Sequence, residues 1–266
     1  MARRSVDIAP LRIATWNIHN ATGADGRRDL GRIANVIGRM QAPLVGLQEV
    51  GCCPRDAQHL ASSCDAAELA RLNGYAWHAV PTCGQGVGST RGNALLTSLP
   101  VDEIRIHDLS VAGREPRAAL EAWIPWRGQL LQVVVTHLGL SARERRFQVE
   151  TLLAVIDRSA DRAAATVLLG DINEWFLWGR PLRWLHKRFG TSPSVRSFPA
   201  RAPLLALDRV WTKPSNALVG VQAFCIPELR CASDHLPVVA TLALSPVGQA
   251  TEMEQLQAGP ALASSG

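Results

Sequence analysis

No run of apolar residues in the chain approaches the roughly 18 that a membrane-spanning helix needs, so nothing reads as a transmembrane anchor. The amino terminus, Met1 to Asp7, carries Arg3 and Arg4 with no apolar stretch behind them and lacks the form of a secretory signal. We therefore expect a soluble, cytoplasmic protein. The six cysteines (Cys52, Cys53, Cys64, Cys83, Cys225, Cys231) include no Cys-x-x-Cys pair and no histidine at zinc-finger spacing, which argues against a structural zinc site and leaves reduced thiols as the expectation. Lysine is scarce: of 28 basic residues only Lys187 and Lys213 are lysines, so the net charge of +5 rests on arginine. Guanidinium forks suit phosphate contacts, although an arginine-rich background gives the same balance. No internal repeat is present.

What the chain does contain is a series of strand-like apolar runs from Leu11 to Leu244, unbroken enough to favour one large domain in 266 residues. Strands are expected at 11–17, 44–50, 75–80, 93–99, 103–110, 117–126, 129–137, 166–171, 207–212, 218–224 and 236–243, and helices near 29–40, 65–73, 142–160 and 181–189. Asp29 can cap the first helix and Ser141 the third; Gly74 and Gly190 close the second and fourth. In the third helix Phe147, Leu152, Val155 and Ile156 should face inward beneath an exposed Arg143-Glu144-Arg145-Arg146. Trp126-Arg127-Gly128-Gln129 reads as a tight hairpin turn. Residues 1–10 form an extension, 51–66 a loop, and 245–266 a polar tail with too little to bury to fold. Many strands with few helices imply stacked β-sheets clothed by helices.

Polar residues recur where these runs end. Val167-Leu168-Leu169 leads into Gly170-Asp171-Ile172-Asn173, Leu44-Val45-Gly46-Leu47 into Gln48-Glu49, Val133-Val134-Val135 into Thr136-His137, and Leu11-Arg12-Ile13-Ala14 into Thr15-Trp16-Asn17. Gly92-Asn93 precedes Ala94-Leu95-Leu96, Asp208-Arg209 precedes Val210-Trp211, and Ser233-Asp234-His235 stands near the C-terminus. Taken singly, an acid at a strand end is a turn former or a cap; the recurrence reads as one site. Glu49, Asp171, Asp208 and Asp234 supply hard oxygen ligands or acid–base groups, and Asn17 and Asn173 add neutral oxygens and donors. That set suits Mg²⁺ or Mn²⁺ better than zinc, which prefers more His and Cys, or calcium, which wants a denser oxygen cage. Few carboxylates with two histidines leave room for water and phosphate, the layout of phosphoryl transfer.

In order and spacing these motifs resemble the endonuclease/exonuclease/phosphatase superfamily, the metal-dependent phosphodiesterases that include deoxyribonuclease I, exonuclease III and the neutral sphingomyelinases. The resemblance spans about residues 11–244. It implies a four-layer α/β sandwich, two mixed β-sheets packed face to face with helices outside. It also implies that Glu49 is the main metal ligand with Asn17 beside it, and that Asp234 is a second carboxylate near the metal. Asp171 would orient or deprotonate the attacking water, Asn173 would hold the scissile phosphate, and His137 and His235 would donate to its oxygens. Asp208 would orient His235. Asn93 joins the substrate-binding set. Some family members carry a tyrosine or an acid before the Gly-Asn-Ala strand where this chain has Arg91, which leaves the partner of His137 open.

The substrate is less legible. Arg114 and Arg117 begin a strand and can reach a phosphate or simply solvate a surface. After Asn173 come Trp175, Phe176, Trp178, Arg180, Arg183, Trp184, Lys187 and Arg188. Such a segment can be a helix packed through Leu182, Leu185 and Phe189, a base-stacking and backbone-tracking surface that includes Arg183, or an amphipathic contact with an anionic bilayer. Members of the exonuclease III branch extend Gly-Asp-x-Asn with Ile-Ala, whereas here Glu174-Trp175 follows, which disfavours an abasic-site repair nuclease. We expect a monomer that hydrolyses phosphodiesters with Mg²⁺, with DNA or RNA ranked slightly ahead of phospholipid.

Overall fold

The computed structural model describes residues 10–52, 64–83, 90–227 and 230–244. The expected tail, almost all of the expected N-terminal extension and most of the expected loop 51–66 lie outside them. Along the chain come β1 (Leu11–Asn17), α1 (Leu30–Met40), β2 (Leu44–Cys52), α2 (Asp65–Asn73), β3 (Ala76–Cys83), β4 (Thr90–Thr97), β5 (Glu103–Asp108), β6 (Ala118–Trp126), β7 (Gln129–His137), α3 (Ala142–Ser159), β8 (Ala165–Asp171), α4 (Arg180–Phe189), β9 (Asp208–Lys213), β10 (Leu218–Ala223) and β11 (Val238–Leu242). The strands form a six-stranded sheet, β10-β11-β1-β2-β4-β3, and a five-stranded sheet, β5-β6-β7-β8-β9. Each sheet is antiparallel except for one parallel pair, β1 with β2 and β7 with β8. Among the described residues no helix is long and apolar enough to cross a membrane.

Strand alternation sends side chains to two faces, and here both faces are apolar. The inner face of one sheet (Leu11, Ile13, Leu44, Leu95) meets that of the other (Leu120, Ala122, Leu131, Val133, Val135, Val167, Leu169) in the central core. The outer face of the first sheet packs on α1 and α2 through Ile33, Val36, Ile37, Met40 and Leu69. That of the second packs on α3 and α4 through Leu152, Ile156, Leu182, Leu185 and Phe189. The result is the four-layer sandwich expected from the motifs. Each fully buried Leu, Ile or Val contributes about 1.5–3 kcal/mol to holding the layers together. At Gly46 the sheets close so tightly that a Cβ would lie 2.3 Å from Leu169 Cδ1.

Local signals explain the element boundaries. Asp29 accepts from Arg32 N at the start of α1. Ser141 and Glu144 cap α3 reciprocally, Glu144 N donating to Ser141 Oγ and Ser141 N to Glu144 Oε2. Arg127 and Gly128 both take positive φ in the β6–β7 turn, as a two-residue hairpin requires. The first turns of α3 depart from expectation. Phe147 is exposed, whereas Glu144 and Arg145 are buried. Stepping back from Leu152 at helical spacing reaches Gln148 and Arg145, and both inward positions serve polar partners. Gln148 Oε1 accepts from Gly139 N and its Nε2 donates to Leu109 O, while Arg145 pairs with Glu174.

Candidate active site

The inner faces of both sheets turn polar at one end of the sandwich, where the carboxyl ends of the parallel strands lie together. In β8 the inward positions Ala165, Val167 and Leu169 continue to Asp171, and in β7 Leu131, Val133 and Val135 continue to His137. By the same alternation β1 delivers Asn17 and β9 delivers Asp208. Cα pairing sets His137 beside Asp171, and Asp171 beside Asp208. Gly170 makes this crowding possible: its φ is +149°, and a Cβ there would lie 1.9 Å from Thr136 O.

Glu49 arrives differently. Val45, Leu47 and Val50 all face α1 and α2, so the alternation breaks between 47 and 50, where the β2–β4 register shifts. This bulge places Glu49 at φ +52° and turns its carboxylate into a cleft of about 280 Å³ shared with Asn17, Arg91, Glu115, Arg117, His137, Asp171, Asn173 and His235. Asn173 also has positive φ. Non-glycine residues in that region cost free energy and persist where the surrounding structure holds them.

Contacts converge on one oxygen. Asn17 Nδ2 donates to Asp171 Oδ2 at 3.1 Å and to Glu49 Oε1 at 3.2 Å. His137 Nε2 and His235 Nε2 flank the same Asp171 oxygen at 3.6 and 3.8 Å. Asp171 Oδ1 accepts from Asn173 N at 2.9 Å. The two imidazoles differ in charge. Burial, outweighing the Asp171 carboxylate and joined by the Arg117 and His235 charges, pulls His137 down to about 4, so the ring is neutral at pH 7. Burial also opposes charge on His235, but the Asp208 carboxylate 2.8 Å from Nδ1, helped by Asp171 and Asp234, outweighs it and raises the group to about 10. His235 is thus an imidazolium, with the ring of Phe198 4.8 Å away between centroids. Ser197 Oγ donates to Asp208 Oδ2 at 2.5 Å. The segment bearing His235 is tied to β1 by Ser233 Oγ donating to Asn17 O and by Trp16 Nε1 donating to His235 O.

Several expected site residues stand elsewhere or act differently. Asn93 does not line the cleft: it is buried between the sheets, where Nδ2 donates to Ala118 O of β6 at 2.8 Å, a cross-sheet staple. Asp234 is also absent from the cleft lining. With His235 turned inward, its neighbour's carboxylate meets Ser233 Oγ and lies 3.8 Å from His19 Nδ1. Asn173 lines the cleft; its Nδ2 donates to Leu138 O and lies 3.0 Å from His137 Nε2. Arg114 and Arg183 are exposed and outside the cleft; Arg117 is inside it, paired with Glu115 at 2.9 Å, with Nε lacking a hydrogen-bond partner. Arg91 pairs with Glu49 at 3.4 Å, and the nearest polar partners of His137 are Asn173 and Asp171. Phe198, Leu140, Trp175 and Leu207 complete the walls. Trp175 and Leu207 had signals in the sequence, the latter as the start of the expected strand 207–212; Phe198 sits in an aperiodic loop.

The donor set fits a hard divalent cation. Glu49 is a partly exposed carboxylate on the cleft, held by the amide of Asn17 and joined through it to Asp171, an all-oxygen arrangement of the kind Mg²⁺ and Mn²⁺ accept. Asn17 Oδ1 accepts from His19 N at 3.0 Å and its Nδ2 orients the Glu49 carboxylate. Atoms of Asp171, Asp208 and His235 also lie within 4.8 Å of one another. His235 stands between the two acids with Nδ1 bonded to Asp208.

A four-layer sandwich whose parallel strands end in a carboxylate between two histidines, with a second carboxylate poised for a cation, defines a phosphoester hydrolase. The chain belongs to the Endonuclease/Exonuclease/phosphatase family, whose model matches residues 14–235. It is 29% identical over 246 residues to the uncharacterized protein YbhP of Escherichia coli K12, covering 88% of this chain and 96% of that protein. Among solved structures, an endonuclease/exonuclease/phosphatase from Beutenbergia cavernae is 26% identical with a TM-score of 0.67, over 89% of this chain and 72% of that one. A functionally unknown conserved protein from Enterococcus faecalis V583 superposes with a TM-score of 0.72 at 18% identity, over 88% and all of the respective chains.

Proposed function

We propose that the protein is a divalent-metal-dependent phosphodiesterase that cleaves by direct attack of water on phosphorus. The observation that carries this reading is the convergence on Asp171 Oδ2 of Asn17, neutral His137 and the His235 imidazolium. Asp171, fixed by Asn17 and Asn173, is the group to orient the water and take its proton. His235, kept charged by Asp208, faces the same point and stabilises negative charge building on the phosphate oxygens. Arg117, whose guanidinium lines the cleft, supplies positive charge to a non-bridging oxygen. Glu49 would hold Mg²⁺ or Mn²⁺, which neutralises phosphate charge when bound.

A diester is favoured over a monoester by the walls. Leu140, Trp175, Leu207 and Phe198 line the cleft beside its polar groups, Phe198 against His235, so apolar surface is available to a second ester substituent. The test is hydrolysis of bis-p-nitrophenyl phosphate against p-nitrophenyl phosphate, with Mg²⁺ and with chelator. We expect turnover of the diester that chelation abolishes. Turnover of no diester with Mg²⁺ or Mn²⁺, or activity indifferent to chelator, would refute the proposal.

A further inference from the structure

Directly after the cleft residue Asn173 and the buried Glu174 come four consecutive large apolar side chains that the fold leaves in solvent: Trp175 is 58% exposed, Phe176 56%, Leu177 58% and Trp178 73%. Leu140, 69% exposed, shares the cleft wall with Trp175. A contiguous exposed apolar patch on a single chain marks an interaction surface.

This patch is held out by built structure. Glu174 is buried; its Oε2 accepts from Arg145 Nε at 3.2 Å and its Oε1 accepts from Phe176 N at 3.2 Å. The same Arg145 donates from Nη1 to Leu140 O at 2.5 Å, so one guanidinium fixes both halves of the patch. Gly179 N donates to Phe176 O, closing the turn. Gly179 itself packs so closely on Glu174 that a Cβ would lie 2.5 Å from its Cδ. The rings of Phe176 and Trp178 meet at 5.4 Å.

Beside the turn, α4 presents Arg180, Arg183 and Lys187 to solvent at positions three and four apart, one helix face. Beside Leu140, Arg143 and Arg146 are exposed on α3 together with Phe147. Apolar tips ringed by cations match a surface that is negatively charged outside and apolar beneath.

We propose that this lip docks the enzyme on a bilayer containing anionic lipid, seating the cleft against the headgroups so that the phosphodiester cleaved is that of a phospholipid. The inference rests on the phosphodiesterase reading for the reaction and adds the surface on which it occurs. It also reverses the order of substrates that charge alone favoured. Base stacking uses free aromatic planes, whereas here two rings engage each other and leucines occupy the exposed positions 140 and 177. Aliphatic side chains have nothing to stack on but partition into the acyl boundary.

The test is sedimentation of the full-length protein with vesicles of equimolar phosphatidylglycerol and phosphatidylcholine. The wild type should bind, and should bind phosphatidylcholine vesicles less well because the cations lose their partner. The Phe176→Ser/Leu177→Ser/Trp178→Ser variant should bind at least about tenfold more weakly while hydrolysing bis-p-nitrophenyl phosphate as the wild type does. Leu140→Ser should weaken binding in the same direction. Vesicle binding that never occurs, or that survives the triple substitution, overturns the proposal. Binding of single-stranded DNA that the triple substitution abolishes, without vesicle binding, also overturns it and assigns the lip to nucleic acid. Sedimentation needs no turnover, so vesicle binding without diester hydrolysis strikes the reaction and leaves the surface standing.

Discussion

Replacing Asp208 by Asn tests how the site keeps a cation inside a buried cleft. Asp208 Oδ2 lies 2.8 Å from His235 Nδ1 and is the largest influence raising that ring to about 10 against burial. Without the carboxylate, burial dominates, with Asp171 and Asp234 left to oppose it. Were the ring to return only to its ordinary 6.5, about 3% would be protonated at pH 8. Loss of the imidazolium alone then lowers kcat/KM at that pH by about thirtyfold. The signature is the shape of the profile. Between pH 7 and 9 wild-type kcat/KM on bis-p-nitrophenyl phosphate should fall by no more than about a tenth through this group, whereas Asp208→Asn should lose about tenfold per pH unit above its new pKa and recover toward pH 6. Stability should follow the same linkage. The folded ring titrates above the unfolded one, so its stabilising contribution is complete below about 6.5 and is lost as pH rises through about 10. A variant profile parallel to the wild type, or a wild-type His235 that titrates near 6.5 by NMR, would refute the reasoning.

Four further outcomes are expected. Asp171→Asn should lower turnover at least about a hundredfold while leaving the melting temperature within a few degrees, because the amide keeps the shape but not the basicity; kinetics and thermal melting read the two. Glu49→Ala should raise the Mg²⁺ concentration for half activity at least about tenfold, and wild-type behaviour at low Mg²⁺ would remove Glu49 as the ligand. Gly170→Ala should destabilise the fold by about 3 kcal/mol or more, since its Cβ meets the backbone at Thr136 with φ at +149°; urea unfolding measures it. His137, depressed to about 4 by burial, adds stability above 6.5 that is lost as pH falls toward about 4, so His137→Gln should flatten the acid limb of a melting-temperature series.

The strands were legible because alternation and end-of-strand polar residues reinforce each other. In β1, β7, β8 and β9 the inward apolar positions run in register into Asn17, His137, Asp171 and Asp208, so a pattern that shows the core also shows where it becomes a site. Glu49 was visible as a motif residue, but the bulge that aims it was not, because the extra residue shows only against the partner strand β4. Asn93 carries the same kind of signal as the catalytic positions and is instead used between the sheets, a distinction made by the distance to Ala118 and by nothing in the chain. Arg145 and Phe147 exchanged places for a related reason: a buried ion pair to Glu174 makes an arginine an inward residue. Phe198 reaches the cleft from a segment without period, where only tertiary packing decides. The exposure of Trp175 to Trp178 was equally hidden, since a tryptophan-rich stretch reads the same whether it packs or projects.

The central claim is water attack at phosphorus in a cleft organised by Asp171, Glu49 and His235. Hydrolysis of bis-p-nitrophenyl phosphate in ¹⁸O-labelled water, followed by mass spectrometry of both products, tests it most directly. The account requires Mg²⁺-dependent turnover with one ¹⁸O in the p-nitrophenyl phosphate and none in the p-nitrophenol, and loss of that product in Asp171→Asn. Label in the phenol, or the same labelled phosphate formed at an undiminished rate by Asp171→Asn, would contradict it.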